Sequence, residues 1–338
     1  MLFRIKILLL LASAAALGFC GWILWFALSP IELAAPALEF SIRPGSTLRG
    51  ATRQIIEAGL PVPEWKFNLL ARANGAGASV KAGSYQVSAG VTPLLLIRRI
   101  MRGEYAQAEI LFVEGWNFRQ MREALNAHAD LKHDSATLSE AQIMGRLGAP
   151  EVFPEGIFFP DTYVFAKGSS DLAVLARARS AMKKQLESAW AGRAPDLPMT
   201  DSYEALILAS IVEKETGRES DRTMIAAVFA NRLRLGMKLQ TDPSVIYGMG
   251  ERFDGNLRKK DLVTDTPFNT YTRRGLPPHP IAMPGLASLA AVMHPAKTDA
   301  LYFVSRGDGT SEFSRTLVDH NRAVAKYQMP GARRRAGR

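Results

Sequence analysis

The sequence predicts an α+β fold in three parts: an N-terminal transmembrane helix, a small α/β module and a larger domain. Three observations predict it. Residues 7–28 form an uncharged apolar run, residues 38–104 alternate strand and helix patterns, and an all-apolar helical segment begins near residue 205 and needs a large core around it. A chain of 338 residues, 47% of them hydrophobic, exceeds one ordinary domain and can bury such a core.

The first element is ILLLLASAAALGFCGWILWFAL, about 22 residues without a charge, enough to span a hydrocarbon core as a helix. Arg4 and Lys6 precede it and no Lys or Arg follows until Arg43. The positive-inside bias therefore leaves residues 1–6 in the cytoplasm and the remainder outside the inner membrane. The small residues of LASAAA would suit a signal peptidase, but the apolar run continues through Trp22, Trp25 and Phe26, so an uncleaved anchor is expected. The single cysteine, Cys20, lies within this run, which leaves the exported part without an intrachain disulfide, a Cys metal site or a Cys nucleophile. Bulky Phe19 before it argues against lipidation.

A Pro-containing spacer, Ile31 to Leu38, leads into the small module, residues 38–104. EFSIRPGSTLRGATRQIIEAGL reads as a strand, a Pro-Gly turn and a helix stopped at Gly59; VKAGSYQVSAGVTPLLLIRRIMRGE supplies an alternating strand and a second helix ending at Gly103. The larger domain, residues 108–328, opens with ILFVEGWNFRQMREAL, a strand, a turn and an amphipathic helix. PEGIFFPDTYVF then gathers Glu155, Phe158, Phe159, Asp161 and Tyr163 around a Pro-Asp turn. Such a cluster is either a sugar-facing surface or a buried turn, and the buried turn is the commoner case.

The most informative element starts at Asp201. Asp201 and Glu204 stand at capping-box spacing, ALILASIV is apolar on nearly every face, and Gly217 is a plausible stop. Glu213 and Glu215 close the helix about 200° apart around its axis, so only one can face a given cleft. A carboxylic acid at the end of a buried helix stays protonated near neutral pH, because burial disfavours its charged form, and that is what a general acid requires. Glu215 continues the stripe of Leu208 and Ile211 and is followed by Thr216; Glu213 continues Leu206, Ala209 and Ser210 and is the alternative. In the turn GMKLQTDPSVIYGMG, Gln240, Thr241 and Asp242 offer an amide, a hydroxyl and a carboxylate beside Pro243. They are equipment for holding an amino sugar, and capping of the next helix by Asp242 is an equally good structural reading. The basic tail, residues 329–338, follows the last motif and reads as frayed.

The segments LASIVEKET, VFANRLRLGMKLQTDPSVIYGMG, NTYTRRGLPP, HPAKT, LYFV and the closing F-x-x-x-x-x-x-H-N resemble the YceG/MltG family, the endolytic murein transglycosylases, through most of residues 110–328. The chain departs from that pattern at His279, where a small residue such as glycine is usual. The resemblance implies a lysozyme-like lytic transglycosylase catalytic domain, in which the catalytic glutamate also ends a buried helix and precedes Ser or Thr, as Glu215 precedes Thr216. It also implies a LysM-like module at residues 38–104, where strand, PG-x-[ST]-L and helix follow each other and Arg43 to Thr47 would form the glycan-facing turn. Substrate contacts would fall to Gln240, Thr241, Asp242, Asn269 and Tyr271. The implied activity is internal cleavage of the MurNAc-GlcNAc β-1,4 bond without water, leaving 1,6-anhydroMurNAc ends, with no cofactor and no metal. Implied partners are peptidoglycan glycan strands, the inner membrane and peptidoglycan synthases (penicillin-binding proteins).

Other chemistries find little support. The net charge of +10 is scattered apart from the tail, with no motif that would read nucleic acid. The five histidines, His128, His133, His279, His294 and His320, form no H-E-x-x-H pattern; His294 and His320 are expected to fix loops by hydrogen bonding. No G-x-S-x-G, P-loop or dinucleotide fingerprint occurs. Two alternatives stay open at this level: a non-catalytic glycan-binding scaffold, and a muramidase-type hydrolase using two carboxylates.

Overall fold

The structure, a computed structural model, describes residues 2–76, 80–215 and 218–328. Thr216, Gly217 and the basic tail lie outside the described residues. The chain divides into two compact units. The first holds Met1–Glu109 with two short returns, Asp130–Lys132 and Val164–Ser169; the second holds Ile110–Ala129, His133–Tyr163 and Ser170–Arg338.

In the first unit, helix α1 (Leu2–Leu28) contains a stretch, Arg4–Leu28, long and apolar enough to cross a membrane; its most apolar window has a mean hydropathy of 2.3 and buries none of its residues. The last turns of α1 behave differently, because Ala27 is buried and Phe26 packs against the module's core. Strand β1 (Ala37–Ile42) pairs antiparallel with β2 (Gly83–Ser88), placing Phe40 opposite Tyr85 with their rings stacked at 5.5 Å. Between the strands run α2 (Leu48–Glu57), capped by the Thr47 hydroxyl accepting from Gly50 N–H, and α3 (Glu64–Ala73). Helix α4 (Pro93–Arg102) follows, capped by Thr92 and ended by Gly103 at a φ of 73°, a left-handed position that glycine enters without a Cβ penalty. Ile42, Ile55, Leu60, Phe67, Leu96 and Ile97 fill the space between these elements. Helix α3 is an addition to the sequence reading. Its apolar residues Phe67, Leu70 and Ala71 fall at helical spacing, but Pro61 and Pro63 just before them read as loop signals.

Two short strand pairs follow in the chain, and helices build most of the second unit. Strand β3 (Gln107–Leu111) pairs with β5 (Thr162–Ala166), and β4 (Leu131–Lys132) with β6 (Ser169–Ser170). Helix α5 (Phe118–Ala127) opens with a full capping box between Asn117 and Gln120, and α6 (Glu140–Arg146) with another between Ser139 and Gln142. Three longer helices follow: α7 (Asp171–Ala191), α8 (Ser202–Glu215) and α9 (Glu219–Arg234). Short helices α10 (Asp242–Met249), α11 (Lys259–Val263) and α12 (Leu286–Met293) precede an antiparallel hairpin, β7 (Tyr302–Ser305) and β8 (Ser311–Ser314), and α13 (Leu317–Tyr327).

Helix α8 is the centre of this unit. Every residue from Ala205 to Val212 is buried, and α7, α9 and α12 pack around it. That explains a helix with no polar face: an apolar surface on all sides is stable only where other helices cover all sides. The Asp201 carboxylate accepts from Glu204 N–H at 2.8 Å, while Glu204 itself accepts from Thr200 N–H at 2.7 Å, one residue earlier than a capping box requires.

Candidate active site

The two carboxylates at the end of α8 have different surroundings. Glu213 turns toward α12, where its Oε2 accepts from Gly285 N–H at 3.0 Å and from the Ser288 hydroxyl at 2.7 Å. It therefore satisfies donors of the first turn of α12, as a capping side chain does. Glu215 is half-buried and turns the other way. Its Oε1 accepts from the Thr241 hydroxyl at 2.5 Å, and it opens on a cleft of about 580 Å³ lined also by Arg232, Gln240, Asp242, Tyr271, Tyr302 and His320.

Burial pushes the Glu215 carboxyl above the ordinary carboxylate range. The Thr241 hydrogen bond pulls it back down, the Asp242 charge raises it, and the buried Arg232 guanidinium lowers it. An acid raised by desolvation yet stabilised as an anion by a donor and a cation can give a proton and later take one back.

Three elements fix these partners. Thr241, itself buried, receives the order it needs from its backbone, because its N–H donates to Thr270 Oγ1 at 3.0 Å. Gln240, just before it, is exposed, holds a φ of 52° and donates its N–H to Thr270 O. Arg232 on α9 donates from Nε to Leu301 O at 2.7 Å and from Nη1 to Leu239 O at 2.6 Å, and its guanidinium lies 5.2 Å from the Tyr302 ring centroid. Tyr302 in turn stacks on His320 of α13 at 5.3 Å.

A model of the YceG-like family matches residues 40–326. The chain belongs to this family. An endolytic murein transglycosylase of Bacillus subtilis is 31% identical over 327 residues, covering 89% of this chain and 88% of that relative. An endolytic murein transglycosylase of Streptococcus pneumoniae is 26% identical over 361 residues, covering 96% of this chain but only 65% of that longer relative. A crystal structure of a yceG-like protein from Listeria monocytogenes superposes with a TM-score of 0.52 at 28% identity, over 85% of this chain and 98% of that one.

Within this YceG-like chain the other sequence-selected residues separate. Asp242 and Tyr271 meet: the Tyr271 hydroxyl donates to Asp242 Oδ1 at 2.5 Å, and burial beside that carboxylate raises the phenol. Asp242 opens α10 but makes no side-chain cap there, so the capping alternative is not what the helix uses. Asn269 lies elsewhere. Fully buried, it gives its amide to the carbonyls of Asp261, Leu262 and Thr264 and accepts from Tyr271 N–H, so its side chain holds the loop that carries Tyr271 and does not reach the Glu215 carboxyl.

Most of the PEGIFFPD turn is buried, with Glu155 and Phe158 inside, Phe159 half-buried and Asp161 exposed. Glu155 accepts from Phe118 N–H at 3.0 Å and from the Tyr247 hydroxyl at 3.1 Å, and burial pushes it up to about 7. His279 has a packing role: its ring stacks on Phe153 at 3.9 Å and meets Phe268 and Tyr247 edge-on, and burial lowers its pKa.

Sequence reasoning missed Arg232 and Tyr302 as cleft residues and read His320 as a loop-fixing donor. In the structure the His320 ring lines the cleft and its Nδ1 is buried without a hydrogen-bond partner among the described residues. Arg232 ends an apolar helix and Tyr302 starts a strand, roles that local pattern explains without a site. Among the described residues no group of three or more His, Cys, Asp or Glu side chains is placed to hold a metal ion.

Proposed function

We propose that this chain is a membrane-anchored endolytic murein transglycosylase in which Glu215 is the catalytic acid and base. The observation that carries the reading is the asymmetry at the end of α8: Glu213 is committed to α12, whereas Glu215 faces the cleft, raised by burial and held by Thr241. The names of the Bacillus and Streptococcus relatives support the activity. Neutral Glu215 donates its proton to the glycosidic oxygen between MurNAc and GlcNAc, the C1–O bond breaks, and positive charge develops at C1 of MurNAc. The Glu215 carboxylate then removes the proton from that sugar's C6 hydroxyl, whose oxygen bonds to C1 and leaves a 1,6-anhydroMurNAc end. Intramolecular attack has a high effective molarity, which replaces a second catalytic group. Arg232 and the Thr241 hydroxyl stabilise the carboxylate between the two proton transfers. Gln240, Asp242 and Tyr271 bind the sugars flanking the bond.

In this reading α1 anchors the enzyme in the inner membrane with residues 1–6 in the cytoplasm, and residues 38–104 form a LysM-like module ahead of a lysozyme-like catalytic domain at 108–328. The order β1, Pro-Gly turn, Thr47 cap and α2 supports the LysM-like assignment. The site then works on nascent strands beside the peptidoglycan synthases. A second reading has its own observation: Asp242 places another carboxylate in the cleft, as a hydrolase would use.

Digestion of purified peptidoglycan by detergent-solubilised wild type, Glu215→Gln and Glu213→Gln, with mass analysis of the sugar ends, separates these. Anhydro ends are expected from wild type and Glu213→Gln, with a loss of roughly 10²-fold or more for Glu215→Gln. Reducing MurNAc ends would establish the hydrolase, and strand binding without any cleavage would establish a scaffold.

A further inference from the structure

In the small module, α2 and α3 form a groove of about 560 Å³ whose walls carry Arg49, Arg53, Trp65, Leu69 and Arg72. The spacing is helical on both sides: Arg49 and Arg53 share one face of α2, and Trp65, Leu69 and Arg72 share one face of α3. All five side chains are exposed, including 53% of Trp65 and 39% of Leu69. Glu64 is the one acidic residue of the groove, 3.5 Å from Arg53.

The position of α1 decides what this face meets. The Trp65 ring lies 5.6 Å from that of Trp22, and Lys66 Nζ sits 3.9 Å from the Trp22 ring centroid. At 1.5 Å per residue Trp22 is about 9 Å before the end of α1 at Leu28. Because the module packs on α1 from Trp22 onward, the hydrocarbon core of ~30 Å is left to the residues before Trp22, about 20 of them and about 30 Å of helix, and Trp22 lies at the membrane interface, where Trp rings and basic side chains settle. Ala27 and Phe26 pack into the module, so its position follows the end of α1.

We infer that the α2–α3 face is a docking surface for anionic phospholipid headgroups, with Trp65 and Leu69 in the interface and Arg49, Arg53 and Arg72 on the phosphates. The inference rests on α1 spanning the membrane. Residues 38–104 carry nine basic against four acidic side chains, which gives the module the charge that such a surface attracts. Docking fixes the height of the module above the bilayer.

The test uses the full chain with Cys20→Ser, reconstituted in vesicles of phosphatidylcholine with and without phosphatidylglycerol. Fluorophores are attached through Leu11→Cys or Leu69→Cys, and quenching by lipids brominated near the headgroup or near the bilayer centre is read. The Leu69 probe is expected to be quenched from the shallow position, more strongly with phosphatidylglycerol, and to be released by salt. Changing Arg49, Arg53 and Arg72 together to Gln should shift the ratio of docked to released module by roughly a hundredfold. If the Leu11 probe escapes deep quenching, α1 does not span and the inference falls with it. A deeply quenched Leu11 with an unquenched Leu69 overturns the docking surface alone. Emission of the Leu69 probe that responds to chitin oligosaccharides and ignores lipid charge would make the face a glycan site instead.

Discussion

Three neighbours act on the Glu215 carboxyl with opposite signs, and each can be removed separately. Thr241 and Arg232 favour the charged form, whereas Asp242 disfavours it. In the proposed mechanism the first proton transfer needs Glu215 protonated, so cleavage is expected to fall on the alkaline side as pH passes its pKa. Thr241→Val is expected to move that alkaline limb to higher pH and Asp242→Asn to lower pH, both read from kcat/KM against pH on glycan strands. Limbs that move together, or not at all, would show that another group sets the profile. The residue itself was legible in the sequence, because a carboxylate after eight buried positions, seven of them apolar, has few structural uses. Arg232 was not, and Thr241 was read as a substrate contact and not as the donor to Glu215: Thr241 lies 26 positions away and Arg232 17 positions away, and only the packing of α8 against α9 and α10 brings them together.

At the scale of elements, α12 depends on two contacts that the chain makes from elsewhere. Glu213 supplies acceptors to its first turn, so Glu213→Ala leaves Gly285 N–H and the Ser288 hydroxyl without them and should cost about 1–2 kcal/mol in denaturant unfolding, while Glu213→Gln keeps much of the cap. The turn before β5 is just as constrained. Gly156 has a φ of 79°, and a Cβ there would lie 2.3 Å from Pro280 Cβ. Gly156→Ala is therefore expected to lose about 2–4 kcal/mol from backbone strain and overpacking combined, measured by the same unfolding midpoint. An unchanged midpoint would mean that the loop around Pro280 yields freely. Strong local signals made α2, α4, α5 and α8 readable: a Thr or Asn cap, a Gly stop, or a continuous apolar run. Helix α7 escaped notice although it is 21 residues long, because its apolar positions alternate with Lys, Arg and Ser and neither end carries a side-chain cap. Among the described residues every sheet has two strands, too few for periodicity to reveal which strand pairs with which.

For the molecule as a whole, Glu155 makes stability depend on pH in an unusual direction. Its carboxyl is raised from an ordinary 4.5 to about 7, mainly by burial, against hydrogen bonds from Tyr247 and Phe118 N–H that favour the anion. Between those two values the folded chain keeps a proton that the unfolded chain has released, so folding binds protons and stability falls as pH rises. The contribution is fully present below about 4.5 and is lost as pH climbs through about 7, a total of about 3 kcal/mol for a shift of this size. Glu155→Gln removes the titration and keeps an acceptor for Phe118 N–H. Denaturant unfolding of wild type and variant at about pH 4 and pH 8 should show the wild type losing about 3 kcal/mol more than the variant over that range. Parallel losses would place the pH dependence in other groups. Tyr247 belongs to α10, the helix that opens with Asp242 directly after Thr241, so a single hydrogen bond joins Glu155 to the element next to the Glu215 partner.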